Sequence, residues 1–221
     1  MIKKAVIMAA GRGTRLGERG RLSPKGFLRI GERPIIEESI ERLRGQGVEE
    51  IIIVTGHLAE FYQELASSSR RGLIRTVYNE KYAESGSMYS LFRARDAVGG
   101  EDFFLLESDL IYEIRALREL QGHNKGAVIL LSGQTNSNDE VWVETEKDGR
   151  LKNMSKDPKE LSSKPAGELV GVSKLDGRTF AQLCSTAERM FTDSLHVEYE
   201  KALVAAADHT PIYCHKVDDL L

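Results

Sequence analysis

The chain has 221 residues, 41% of them hydrophobic and 29% charged, with a formal net charge of -3. That length and apolar content suffice for one domain with a sizeable core, and the small negative balance excludes a general attraction to nucleic acid or to an anionic membrane. Two cysteines, Cys184 and Cys214, are too few for a disulfide framework and lack metal-ligand spacing, so reduced thiols and a cytoplasmic setting are expected.

The first apolar run, residues 5–10, is too short for export or for spanning a membrane and reads as a strand. It delivers the stretch Gly11-Arg12-Gly13-Thr14-Arg15-Leu16, which closes on Ser23-Pro24-Lys25-Gly26. Glycines there let backbone approach a polyphosphate, and Arg15 and Lys25 return two cations to the same place, so the stretch reads as a nucleoside triphosphate site. A dinucleotide fingerprint would need a glycine where Leu16 stands, and a P-loop would need Ser or Thr where Gly26 follows Lys25.

A short strand is expected at 27–30, then a helix opened by Pro34 that carries Ile35, Ile36, Ile40 and Leu43 on one face and stops at Gly45 and Gly47. Residues 51–54 form a β-branched strand, 57–66 a helix and 74–78 a third strand, and this alternation predicts a parallel sheet. A polar loop over 79–86 leads to a helix at 88–97 that Ser87 could cap. The strand at 103–106 ends on Glu107-Ser108-Asp109, and strand ends carry function in such sheets. Beyond it come a helix at 114–120, a strand at 127–131, and a hairpin of 141–145 with 151–154 across Asp148-Gly149. A returning strand at 169–175, helices at 179–191 and 197–207 and a last strand at 212–217 complete the pattern, with no internal repeat.

Chemistry at a bound triphosphate brings anions together. Two unit charges about 4 Å apart repel by roughly 4 kcal/mol at an effective dielectric near 20, so cations must stand between them. Lys25, Arg15 and a Mg²⁺ ion could meet that demand, and Mg²⁺ prefers one or two carboxylates with phosphate oxygens and water. Asp109, after a buried strand, is the first candidate ligand, and Glu107 is near enough to assist. Ser85, Gly86 and Ser87 at a helix start offer donors suited to a base edge or a phosphoryl oxygen. The five histidines show no metal spacing, and His57 reads as a loop or helix-start residue.

Met8-Ala9-Ala10-Gly11-Arg12-Gly13-Thr14-Arg15-Leu16 followed by Pro24-Lys25 resembles the signature of the nucleotidyltransferases that join a nucleoside triphosphate to a phosphorylated small molecule and release pyrophosphate. The resemblance implies a doubly wound, mostly parallel, Rossmann-like α/β domain with a small hairpin elaboration. In it, Met8, Ala10, Gly11 and Gly13 would bind the nucleotide, Lys25 and Arg15 would act on the phosphates, and Asp109 and Asp218 would match the family's two metal-holding acids. It also implies one more helix after Asp218, so a chain shortened there, or one module of a longer fusion, is expected alongside a single domain over 1–221. The Asn79-x-x-Tyr82 element with Ser90-Leu91 is similar to the branch containing CTP:phosphocholine cytidylyltransferases, and its Ser85-Gly86-Ser87-Met88 form resembles their phosphonate-using relatives. That places cytidine recognition near Ala10, Asn79, Ser85 and Ser87.

A quaternary ammonium favours an aromatic box, whereas a primary ammonium carries three N–H donors and favours carboxylates. Aligned with this branch, Glu140 stands where the phosphocholine enzymes have an aromatic residue. Asp139, Glu140, Glu198 and Glu200 are therefore candidate ammonium partners, with Tyr199 nearby, and Lys156 resembles the strand-end lysine that holds the acceptor's phosphate. The expected activity is Mg²⁺-dependent transfer of CMP from CTP to 2-aminoethylphosphonate. Phosphocholine, a sugar phosphate, or a non-catalytic nucleotide-binding role are the alternatives, with no nucleic acid and no membrane insertion among the expected partners.

Overall fold

A computed structural model describes residues 1–135, 139–218 and 220, so Asp219 and Leu221 of the terminal acidic stretch lie outside it. The first half runs β1 (Lys4–Ala9), α1 (Glu18–Leu22), β2 (Arg29–Ile30), β3 (Arg33–Pro34), α2 (Ile35–Gly45), β4 (Glu50–Thr55), α3 (Ala59–Ser68) and β5 (Ile74–Tyr78). It continues through α4 (Ser87–Arg93), α5 (Arg95–Val98), β6 (Phe103–Glu107) and α6 (Ile114–Gly122). The remainder is β7 (Val128–Ser132), β8 (Trp142–Thr145), β9 (Leu151–Ser155), β10 (Gly167–Leu175), α7 (Gly177–Met190), α8 (Tyr199–Ala207) and β11 (Tyr213–Lys216).

The main sheet has the order β11-β7-β10-β6-β1-β4-β5, with the β8–β9 hairpin attached through β10. Strands β6, β1, β4 and β5 are mutually parallel, and β1 aligns Ala5 with Ile51 on one side and with Phe104 on the other. Alternation along each strand sorts the core into two layers. Ile51, Ile53, Ala5 and Ile7 meet Ile36, Ile40 and Leu43 of α2, Tyr62 of α3 and Leu117 of α6. Ile52, Val54 and Val6 meet Met88 and Leu91 of α4, Leu183 of α7 and Leu203 of α8. The architecture is the expected doubly wound α/β fold. Each fully buried Ile or Leu in these layers contributes roughly 1.5–3 kcal/mol through apolar area withdrawn from water.

Four local expectations change. The strand expected at 27–30 is a tight turn over Lys25–Phe27 followed by a two-residue ladder with Arg33–Pro34, which Gly31 makes possible at φ +80. The helix expected from 57 starts at Ala59, because Leu58 sits in the left-handed region at φ 53. Ser87 opens α4 without capping it, its hydroxyl being engaged elsewhere. Most consequentially, β10 runs antiparallel between β6 and β7, in the interior of the sheet, so the departure from parallel order is not confined to the hairpin.

Candidate active site

The carboxyl ends of β1 and β6 open into a cleft of about 740 Å³. Its first wall is the glycine loop. Gly13 and Gly17 adopt left-handed backbone at φ 60 and φ 57, and between them Thr14–Leu16 makes a single tight turn. The chain then folds back so closely that a Cβ on Gly20 would lie 2.3 Å from the carbonyl oxygen of Gly13. Pro24 redirects the backbone, and Gly26 passes beneath the turn after β6, where a Cβ would stand 2.9 Å from the Ser108 carbonyl oxygen. This close approach places the Lys25 ammonium 3.1 Å from Oδ2 of Asp109, each side chain about one third exposed (35% and 31%).

Arg15 and Lys156 meet on a shared carboxylate. The Arg15 guanidinium donates to Oδ2 of Asp139, and the Lys156 ammonium lies 2.7 Å from Oδ1 of the same residue. Arg15 first, and Lys156 after it, hold the Asp139 carboxyl below the usual carboxylate range. Asp139 thus bridges the glycine loop to the end of β9, and the two cations expected to face substrate phosphates are held by a carboxylate.

The opposite wall is acidic. Backbone pairing of Gly86 with Leu195 and of Met88 with Val197 sews the start of α4 to the segment entering α8, and a Cβ on Gly86 would fall 2.3 Å from the Val197 oxygen. Ser87 completes the seam, its hydroxyl donating to Glu198 Oε2 at 2.5 Å and accepting the Tyr199 N–H at 2.8 Å. The buried Tyr199 donates its hydroxyl to Glu107 Oε1 at 2.9 Å. Burial pushes the Glu107 carboxyl up, partly offset by that hydrogen bond. Burial also raises Glu200 to about 7, with Glu107 and Glu198 adding to the effect, and its buried Oε2 has no hydrogen-bond partner.

Met8, Ala10, Gly11, Gly13, Arg15, Lys25, Ser85, Ser87, Asp109, Asp139, Lys156, Glu198 and Tyr199 all line this cleft. Three expected residues do not. Asn79 is fully buried, donating to Ser85 at 3.1 Å and Ser90 at 3.0 Å and accepting the Lys81 N–H, so it builds the loop rather than meeting a base. Glu140, at intermediate exposure, is not part of the lining. Asp218 follows β11 at the sheet edge, with β7 and β10 between it and β6, and its 72% exposed side chain pairs with Lys216 at 2.8 Å. Tyr62 is a lining residue that sequence reasoning missed, because on α3 it is indistinguishable from an ordinary core aromatic. A second cavity of about 730 Å³ lies elsewhere, lined by Lys3, Arg44, Arg70 and Arg71, and contains none of these groups.

Among the described residues no group of three or more His, Cys, Asp or Glu side chains is arranged to hold a metal. The cleft nevertheless fits a magnesium ion bound mainly through substrate phosphates, since Asp109 presents a partly exposed carboxylate at its floor. No described helix is long and apolar enough to cross a membrane.

Residues 5–161 match the model of the MobA-like NTP transferase domain. The chain belongs to that family. It is 35% identical over 130 residues to the CMP-5'-(3-aminopropyl)phosphonate synthase of Streptomyces rubellomurinus, covering 58% of this chain and 20% of that protein. It is 35% identical over 106 residues to the choline-phosphate cytidylyltransferase of Streptococcus pneumoniae, covering 48% and 44%. It is also 35% identical over 107 residues to the 2-aminoethylphosphonate cytidylyltransferase of Lancefieldella rimae, covering 48% and 43%. The chain therefore aligns with between a fifth and under half of the length of these relatives. In fold it is similar to the solved CTP:phosphocholine cytidylyltransferase from Streptococcus pneumoniae, with a TM-score of 0.78 at 21% identity over 100% of this chain and 92% of that one.

Proposed function

We propose that this domain transfers CMP from CTP to 2-aminoethylphosphonate and releases pyrophosphate. The observation that carries this reading is the polarity of the cleft, with Lys25, Arg15 and Lys156 on the glycine-loop and β9 side and Glu107, Glu198 and Glu200 about the start of α8. A small acceptor with an anion at one end and an ammonium at the other matches that arrangement. Relatives bearing phosphonate cytidylyltransferase and synthase names support the choice of nucleotide and acceptor class.

An acceptor oxygen attacks the α-phosphorus of CTP in line. A new P–O bond forms as the bond from the α-phosphorus to the bridging oxygen breaks, and that oxygen leaves with pyrophosphate. No side-chain nucleophile is required, so the protein contributes position and charge neutralisation. Lys25 stabilises charge on the transferring phosphoryl group, and Arg15 and Lys156 exchange Asp139 for substrate oxygens. Asp109 would hold Mg²⁺, which when bound offsets charge on the triphosphate. Glu200, half-buried and with its Oε2 short of a partner, accepts N–H donors from the primary ammonium, with Glu198 and Tyr199 beside it. A quaternary ammonium offers no such donors.

Release of pyrophosphate from CTP, UTP and ATP tests this reading when measured with 2-aminoethylphosphonate, 3-aminopropylphosphonate, phosphocholine and glucose 1-phosphate. The expected preference is CTP with an aminoalkyl phosphonate. A higher kcat/KM with phosphocholine replaces the acceptor, and CTP binding without turnover of any acceptor replaces the enzyme by a nucleotide-binding module.

A further inference from the structure

The glycine loop contains a buried backbone acceptor that its own helix cannot satisfy. In the short helix α1 the Gly20 carbonyl would ordinarily receive the N–H four residues on, but that residue is Pro24, which has none. The N–H of Ser23, three residues on, is already given to Arg19 at 3.0 Å. The ring Nε2 of His57 fills the gap at 3.1 Å, and since a carbonyl only accepts, that nitrogen carries the proton.

His57 is itself firmly placed. Its backbone N–H reaches the Ala10 carbonyl at 3.3 Å, tying it to the residue that ends the first strand run. Gly56 before it has no room for a Cβ, which would lie 2.4 Å from Tyr82 Cβ and 2.7 Å from the Ala10 oxygen. Leu58 after it holds left-handed backbone, alone in this among the described non-glycine residues, a conformation that costs about 1–2 kcal/mol and persists only where the surroundings enforce it.

We propose that His57 is a positioning residue for the triphosphate loop, fastening α1 to the sheet through the carbonyl that Pro24 leaves orphaned. It is not part of the cleft lining. It acts through Gly20, which packs on Gly13 and so fixes the backbone between the two loop glycines. The nucleotide part of its test rests on the loop being the CTP site, whereas the loop-opening part does not.

Two variants separate the hydrogen bond from simple bulk. His57→Ala removes the donor, and His57→Gln keeps an amide N–H of similar reach. Limited trypsinolysis of the nucleotide-free protein reads the loop directly, because Arg12, Arg15, Arg19 and Arg21 are its cleavage points. Cleavage in this segment is expected to rise roughly 3- to 10-fold in His57→Ala, the equivalent of one net hydrogen bond, and to stay within about twofold of wild type in His57→Gln. KM for CTP should rise by a similar factor in His57→Ala, with kcat at saturating CTP and KM for the acceptor unchanged. Wild-type cleavage in His57→Ala overturns the proposal, as does a His57→Gln variant no better than His57→Ala. If wild-type protein binds no CTP, the functional reading falls while the cleavage comparison still decides the tether. Should His57→Ala not fold, as judged by a thermal melt, His57→Gln against His57→Leu supplies the same comparison.

Discussion

Lys25 and Asp109 form an ion pair at 3.1 Å across the floor of the cleft, although 84 positions separate them in sequence. Gly26 makes the approach possible by sliding under the Ser108 carbonyl, so the spacing of cation and carboxylate is set by a residue that has no side chain.

Lys25→Ala and Asp109→Ala are each expected to lower kcat/KM by at least about 100-fold, as loss of a preorganised charge at a transferring phosphoryl group does elsewhere. Circular dichroism should show both variants folded, since neither side chain is buried in either core layer. Pyrophosphate release within a few-fold of wild type in either variant removes that residue from its assigned role.

Asp139 pairs with Arg15 and Lys156, and in the proposed reaction a substrate phosphate displaces it. Exposed ion pairs contribute about 0.2–1 kcal/mol each, so Asp139→Asn should lower KM for CTP roughly 2- to 5-fold at low ionic strength. The gain should shrink in 0.5 M salt, because exposed charges are screened more strongly as ionic strength rises. A rise in acceptor KM instead would make Asp139 a partner of the ammonium group.

Glu200 has its pKa raised to about 7 from an ordinary 4.5, and the sign of the resulting pH dependence follows. The folded state binds the proton more tightly than the unfolded chain, so this residue's stabilisation is complete below pH 4.5 and is lost as pH rises through about 7. Relative to wild type, Glu200→Gln should therefore gain melting temperature across that interval and hold the gain above it. An ammonium ligand reverses the preference by favouring the charged carboxylate, so wild-type acceptor KM should fall as pH rises from 6 to 8, and Glu200→Gln should lose that slope. Parallel pH profiles for the two proteins would remove Glu200 from the acceptor site.

Gly20→Ala puts a Cβ 2.3 Å from the Gly13 oxygen, a contact that only backbone movement relieves. The expected result is a roughly 10- to 100-fold loss in kcat/KM for CTP with a small change in melting temperature, because the displaced segment is a surface loop and not core. Calorimetric CTP affinity equal to wild type would contradict this.

The strands that build the floor of the cleft were legible because they are continuous apolar runs ended by glycine or acid, as at Ala5 to Ala10 and Phe103 to Glu107. That Lys25 and Arg15 return to one cleft was legible from their spacing against the glycines. Asn79 misled for a physical reason: the amide that suits it to reading a base suits it equally to organising a tight polar loop, and burial alone separates the two roles. Strand direction is not encoded in hydrophobic periodicity, so nothing in the pattern over 167–175 announced an antiparallel strand in the sheet interior. Nor does local sequence reveal that Asp139 bridges cations 124 and 17 positions away. The His57 contact was concealed in the same way, although an acceptor stranded four residues before a proline is a signal that could have prompted a search for its donor.

Strand β10 has a consequence for any attempt to transplant this domain into a chimera. It joins β6 to β7 and also carries β8, so without it the pair β7–β11 and the hairpin β8–β9 share no ladder with the rest of the sheet. A graft cut at residue 161, where the family match stops, would bare the flank of β6 and orphan the three strands β7, β8 and β9, a recipe for aggregation. During synthesis the same dependence means that β7 and the hairpin β8–β9 can join β6 only once β10, which ends at Leu175, has left the ribosome.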